Sequence, residues 1–393
     1  SMTDNGTFQY VGLATGTLAG ADISTNFVVG GSTLHTYHAL IVEEANPSSS
    51  PDSFIIGTSL TVTTTAVFDE GPVTVAAGQL LTVDGQLTVS GGTLDAQAGS
   101  MNVNDFVLSI GSFSAPDTAL TFTVAGDFTR SGGTFDPNEG TVTFDGVDQT
   151  IYTGAAGSVA FYSLFKQAVG ADTLTLEAGD TFWVSHQLTL KGLDQDTLLT
   201  IDSSIYNSPA FLNLATGGIQ DIRDVHVVDN NADGGLLLVG QGVNSYGERY
   251  SNWIFGTTAA DLVWDGIPSP LALSHTAWHE PSNWDLGFVP RPGDNVEIPD
   301  TVDKPHLTAV SGAVTVASLD LSAPGSAFYI DGYGMTVTGA FENDGTIYLT
   351  GAETVMSFVQ DIDTGTFVYL NDGSGNPYPV TFPDSFFNVQ FQP

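Results

Sequence analysis

The sequence contains no cysteine, and only seven lysines and arginines among 393 residues. The first absence excludes disulfides and thiolate metal sites, so stability must come from a hydrophobic core and a backbone hydrogen-bond ladder. The second removes the basis for binding nucleic acid, because duplex recognition needs basic residues to neutralise phosphates. Against those seven cations stand 44 Asp and Glu, for a formal net charge of −37, so an anionic membrane surface would repel the chain as well. No apolar run reaches the length that crosses a bilayer. No window of a dozen residues carries a 3.6-residue period, so almost no helix is expected. Ser1-Met2 reads as the scar of a cleaved tag with no signal peptide behind it, and any export signal is expected outside this segment.

What the chain has in place of these is repetition. Hydrophobic residues make up 41%, enough to exclude wholesale disorder. Between Leu87 and Phe144 one short pattern is written three times: LTVSGGTLDAQAGSMNV from Leu87, FVLSIGSFSAPDTALTF from Phe106 and FTRSGGTFDPNEGTVTF from Phe128. A unit of about 20 residues cannot bury its own apolar face, so successive units must stack. Their content is short β-branched strands and Gly/Asn/Asp/Ser turns, which predicts an all-β parallel β-helix, or β-solenoid. Apolar–Thr–apolar triplets recur beyond this stretch, with LTV at Leu60, Leu81 and Leu87, LTF at Leu120, VTF at Val142, and LTL at Leu174 and Leu188. Alternation along a strand sends the two outer residues inward and the Thr outward.

A longer repeat overlies the first. Gly140 to Gln167 and Gly365 to Gln392 are equal in length and align Phe161 with Phe386, Tyr162 with Phe387 and Leu164 with Val389. A third copy opens the chain from Gly6 and places His38 opposite Tyr162 and Phe387. The segment is therefore expected to be a piece of a much longer repetitive protein. A low-complexity joint, GTTAADL, starts at Gly256, and four of the five Trp lie around it, Trp253 just before and three after, two of them in AWHEPSNWDLGFVPRPGDNVEIP from Ala277. Large aromatics and prolines at such a joint suggest a cap over an open stack. Two segments are expected: 1–257, a β-helix with coils of about 20 residues, and 258–393, a Trp/Pro-rich cap followed by a second β-helix.

With these motifs in view, most of residues 87–393 resembles the right-handed parallel β-helix coils of giant bacterial surface or secreted proteins, of the adhesin and autotransporter-passenger kind. The carriers are GTFDPNEGTVTFDGVDQTI from Gly133, VVDNNADGG from Val227 leading to NWIF, and the Trp/Pro stretch above. The resemblance implies export, an extracellular or cell-surface location and a stalk used for adhesion, with a cell-surface glycan or protein, or neighbouring repeats of the same chain, as partner. It implies no catalytic residues.

The chemistry-bearing candidates are few. Asp229, Asn231 and Asp233, with Gly234 in sixth place, match the first half of a calcium loop, but Gly240 stands where the twelfth-position Glu belongs. A simple turn explains the same residues, since Asp and Asn accept left-handed backbone and bond their own amides. Calcium is the one cofactor weighed, and Asp361/Asp363 and Asp372/Ser374/Asn376 are weaker versions of that site. A saline habitat is a further explanation of the acidity. His275 and His279 have the spacing of zinc ligands, but Pro281 argues against the helix they would need. The seven cations, Arg130, Lys166, Lys191, Arg223, Arg249, Arg291 and Lys304, are scattered singly, whereas a polysaccharide lyase needs a clustered base and a hydrolase needs paired carboxylates. The expectation is a non-enzymatic structural or adhesive acidic rod, with a carbohydrate-binding or carbohydrate-active β-helix as the alternative.

Overall fold

A computed structural model of the chain describes residues 3–12, 26–29, 35–44, 53–69, 71–266, 274–359, 361–370 and 387–392. Asp372, Ser374, Asn376 and Phe386 lie outside the described residues. The chain divides into two compact units, Ser1–Ala215 with Asp221–Phe255, and Thr216–Gln220 with Gly256–Pro393. It is a parallel β-solenoid of about 15 turns, almost entirely strand. Among the described residues the helical content is two three-residue 3₁₀ turns, Gly154–Ala156 and Pro281–Asn283.

The three-fold pattern sets the stacking. Leu87 pairs with Phe106, and Phe106 with Phe128, as the repeat predicts. The turns stack too, with Ser112 between Thr93 and Thr134. At the glycine that closes each turn, Gly92, Gly111 and Gly133 all take positive φ (51°, 79° and 64°), which an L side chain resists. A Cβ on Gly111 would stand 2.3 Å from the Gly91 carbonyl oxygen of the coil before, so coil spacing and backbone handedness both demand glycine there.

Inside the first unit, apolar residues form unbroken rows. Leu60, Leu81, Met101, Phe122, Val142, Leu164 and Leu188 pair in succession, and all are buried. A second buried row runs Leu40, Ala66, Leu87, Phe106, Phe128, Ile151, Leu176. A third joins Phe54, Val73, Leu94 and Phe113 on another sheet. The partners outside the first row are Thr61, Thr82, Asn102, Thr123, Thr143 and Phe165, so the outward column is Thr-rich but not pure.

Two triplets depart from expectation. At Leu120 the strand is Phe122–Val124, and Met101 pairs with Phe122, two residues later than the repeat alignment implies. The middle copy spends those two residues on a turn in which Asp117 accepts from the Thr118 amide and Ala119 takes a φ of 68°. In the triplet at Leu188, Thr189 is buried, with its hydroxyl 3.3 Å from the Gln187 amide nitrogen that donates to it.

The long repeat is equally exact in register. Thr141 pairs with Ser163, Thr366 with Asn388, and Thr7 with Ala39, which are equivalent positions in the three copies. In the second unit Asp261–Val263 pairs with Asn295–Glu297, and the Trp-rich stretch lies between these strands. Trp264, Trp278 and Trp284 are buried there against one another, with ring centroids 5.1 and 4.8 Å apart, and Trp278 stacks on Phe328 at 5.0 Å. Trp253 belongs to the first unit, where its indole donates to Asn230 Oδ1 at 3.1 Å.

Candidate functional site

The turn at Asp229 is built as a clamp. Asp229 takes a φ of 46° and is 2% exposed. Its carboxylate receives Arg249 Nε at 2.6 Å, Arg249 Nη2 at 3.1 Å and the Asn207 amide at 2.8 Å. The Arg249 hydrogen bond holds its pKa below the usual carboxylate range. Arg249 also lies over the Tyr206 ring, 4.6 Å from its centroid. Asn231 Oδ1 accepts from the Asp233 amide at 2.7 Å, and Asp233 Oδ1 accepts from the Ser251 hydroxyl at 2.7 Å. Thus the three residues singled out as calcium ligands each bond a different part of the protein. Calcium would have to displace Arg249 to reach Asp229, so a chelator is expected to leave the unfolding midpoint unchanged. A fall of many degrees on chelation would reinstate the turn as a ligand set.

The other basic residues are similarly engaged. Lys166 pairs with Asp172, Lys191 and Arg223 with Asp221, Arg291 with Asp294, and Lys304 with Asp300. Arg130 donates to the Ser158 and Gly133 carbonyls at 2.7 and 2.8 Å. All seven cations of the sequence thereby hold the fold, and each is matched to an acceptor of the protein itself. Asp221 is the centre of a fork that takes both Lys191 and Arg223. Burial works against its ionisation, but those two donors outweigh it and lower its pKa. Asp224 takes a φ of 54° at the neighbouring turn. Asp194 closes a tight turn, pairing with Thr197 and accepting from the Asp196 amide at 3.0 Å. His279 Nδ1 lies 2.9 Å from the Thr308 hydroxyl. Among the described residues no group of three or more His, Cys, Asp or Glu is placed to hold a metal ion.

The feature the sequence reading missed is a row of carboxylates in the second unit. Glu297 pairs with Asp320 and Asp320 with Glu342, so three acids lie side by side on consecutive coils. Burial, then Glu297, Glu342 and Asp344, push the Asp320 pKa up. The signal was present: VEI and LDL are the familiar triplets with an acid in the Thr place, and FEN keeps that acid with Asn343 in the closing position. Beside this row a hollow of about 730 Å³ is lined by Phe341, Glu342, Asp344, Asp361, Ile362, Asp363 and Thr364. Asp361 accepts from the Asn343 and Asp363 amides at 2.9 and 3.1 Å. Burial opposes its ionisation, but hydrogen bonds, first that from Asp363, bring its pKa down to about 2. The same contact raises Asp363.

These opposed shifts predict the pH response. Asp265, Asp285 and Asp320 have folded pKa values above their unfolded ones, chiefly from burial. Their contribution is complete below the unfolded value and is lost as pH rises through the folded one. Asp229, Asp221 and Asp361 are lowered, so theirs is present above the unfolded value and is lost as pH falls through the folded one. Burial lowers the pKa values of His186 and His226, so their contribution is present above the unfolded value and is lost as pH falls from there through the folded one, against the relief of the −37 charge by protons. Below the carboxylate range the lowered Asp229, Asp221 and Asp361 lose theirs, so stability should collapse there, and thermal midpoints that stay level into strong acid would contradict it.

Aromatic rings also stack from coil to coil. His306, Tyr329 and Tyr348 lie parallel at 4.1 and 4.3 Å, and His226 lies on Tyr246 at 4.1 Å. Stacked in this way, the rings cover one another's faces.

Comparison with known protein families, with characterised proteins and with solved structures finds no match to this chain.

Proposed function

We propose that the chain is a non-enzymatic scaffold, a segment of an exported bacterial surface protein that forms a rigid acidic rod used for adhesive contact. The observation that carries this reading is the engagement of every basic residue in holding the fold, alongside apolar rows that run without interruption from coil to coil. Such a chain presents repeated backbone and carboxylates outward and reserves no cation for a substrate. Surplus charge of one sign keeps the rods soluble and apart. The partner under this reading is a cell-surface glycan or protein.

The second reading is a carbohydrate-active β-helix, favoured by the hollow at Asp361 and Asp363. One carboxyl pushed down and its neighbour pushed up is the division an acid and a base require. No cation lines the hollow among the described residues, which would suit a neutral glycan better than a uronate. One assay separates the two: neutral and acidic polysaccharides are incubated with the chain, and both retention and release of reducing ends are measured. The scaffold reading expects retention without release. Sustained release that Asp363→Asn abolishes would overturn it.

A further inference from the structure

Among the described residues, Lys166 and Asp172 are the one oppositely charged pair whose side chains are both 0% exposed. Lys166 Nζ lies 2.7 Å from Asp172 Oδ2, yet Oδ2 takes no aligned hydrogen bond. The two groups are pressed together without the geometry that makes a buried ion pair favourable. Apolar side chains flank both: Lys166 pairs with Phe144 and Leu190 on the coils to either side, and Asp172 with Leu199, all buried. Such a core penalises each ion, and joining the two groups as an amide removes both charges at once.

The groups around the pair are placed for that reaction. The Gly146 carbonyl at 2.5 Å and Gln149 Oε1 at 2.9 Å each take one proton of the ammonium. Gln149 is itself fixed by its donations to the Val124 and Gly126 carbonyls, at 2.8 and 2.6 Å. The third proton is left for the carboxyl. On the far side of that carboxyl, Asp172 Oδ1 accepts the Asp148 amide at 2.8 Å. This donor sits on the oxygen where negative charge gathers when the carboxyl carbon is attacked. Nucleophile and carboxyl are thus held in contact by the fold, and no encounter step is needed.

We infer that Lys166 and Asp172 condense, within the folded chain, into a side-chain amide between Nζ and Cγ. Nζ gives its third proton to Oδ2, and the lone pair left on the nitrogen attacks Cγ. The Nζ–Cγ bond forms and the Cγ–Oδ2 bond breaks. Oδ2 leaves as water, carrying that proton and a second one from Nζ. The last proton stays on the amide nitrogen, where Gly146 or Gln149 can still accept it. Nothing is oxidised or reduced, and no co-reactant enters. The ion pair is the precursor of this crosslink. The loop that the bond closes, residues 166 to 172, is short, so the unfolded chain is restricted little and the main effect is a neutral core. The inference concerns the interior of the first unit and stands whether or not the rod is adhesive.

The test is the intact mass of the whole folded chain after prolonged incubation, followed by trypsin digestion of the denatured product. The expected result is a mass short of the sequence by one water, with the full mass restored in the double variant Lys166→Met, Asp172→Leu. Trypsin does not cut after an acylated lysine, so residues 131–191 should remain one fragment, lighter by one water. That fragment is read on the parent chain and decides the matter even if the double variant fails to fold. A parent chain of full mass overturns the inference. So does a missing water accompanied by normal cleavage after Lys166, which would place the dehydration elsewhere, as at the Asp145–Gly146 turn.

Discussion

Truncating Phe106 to alanine is expected to cost about 3–5 kcal/mol of stability. The ring is fully buried and meets Phe113, Phe122 and Phe128 with centroids 4.8, 5.6 and 5.1 Å away. It belongs to the row between Leu87 and Phe128, and its ring contacts reach two other rows, so its loss opens a cavity bounded by several coils. The coils cannot slide together to fill that space, because backbone pairing fixes their spacing. Leu87→Asp and Phe128→Asp place a charge in the same row and should unfold neighbouring coils. Thr88→Ser, on the outward side of the strand, should shift stability by no more than about 0.5 kcal/mol. Equal thermal midpoints for the inward and outward variants would contradict the assignment of the rows.

The second large effect is expected at Lys166 and Asp172, an ion pair whose side chains are both wholly buried at 2.7 Å. Lys166 occupies an inward position, paired with Phe144 and Leu190 on the coils to either side. Its ammonium donates to the Gly146 carbonyl at 2.5 Å and Gln149 Oε1 at 2.9 Å, and lies against Asp172 Oδ2 as an ion-pair contact. Gln149 in turn donates to the Val124 and Gly126 carbonyls, and Asp172 accepts the Asp148 amide at 2.8 Å. Removing one partner leaves the other charged and unpaired in the core, which costs about 3–5 kcal/mol. Replacing both with apolar residues of similar volume, Lys166→Met with Asp172→Leu, should be far less damaging than either change alone. Strict additivity of the two single losses, measured by denaturant unfolding, would refute the pairing.

Lys166 also marks where the sequence became hard to read. The sequence shows it only as one of seven scattered cations, because nothing local reveals that its row neighbours are Phe144 and Leu190. The rows themselves were legible, since Leu87, Phe106 and Phe128 repeat in the same turn context and glycine recurs at Gly92, Gly111 and Gly133. The two-residue shift at Phe122 was not, because the extra turn at Asp117 is made of ordinary residues. At the candidate calcium turn the sequence showed three oxygen-bearing residues but could not show Arg249, twenty residues later, arriving on the next coil. The acidic row at Glu297, Asp320 and Glu342 was visible as a pattern and went unread because Thr fills that place elsewhere. The GDN stretch earned its notice for another reason: Asp294 is buried and receives the Arg291 guanidinium and the Ala260 amide, at 2.9 Å for the latter, which ties the start of the second unit's sheet together.

The account rests on the register of neighbouring coils, and the absence of cysteine allows a direct test, since any disulfide formed must be the one introduced. Thr88 and Val107 are paired across adjacent strands on the outward side. Parallel neighbours stand about 4.8 Å apart, within the range a disulfide spans, whereas a partner two residues out of register stands about 7–8 Å away, beyond it. Thr88→Cys with Val107→Cys is therefore expected to crosslink readily under mild oxidation and to keep the β spectrum, while Gln86→Cys with Val107→Cys stays reduced. Efficient crosslinking of the second pair and not the first would mean that the coils are stacked in a different register, and the rows and the buried ion pair would both have to be redrawn.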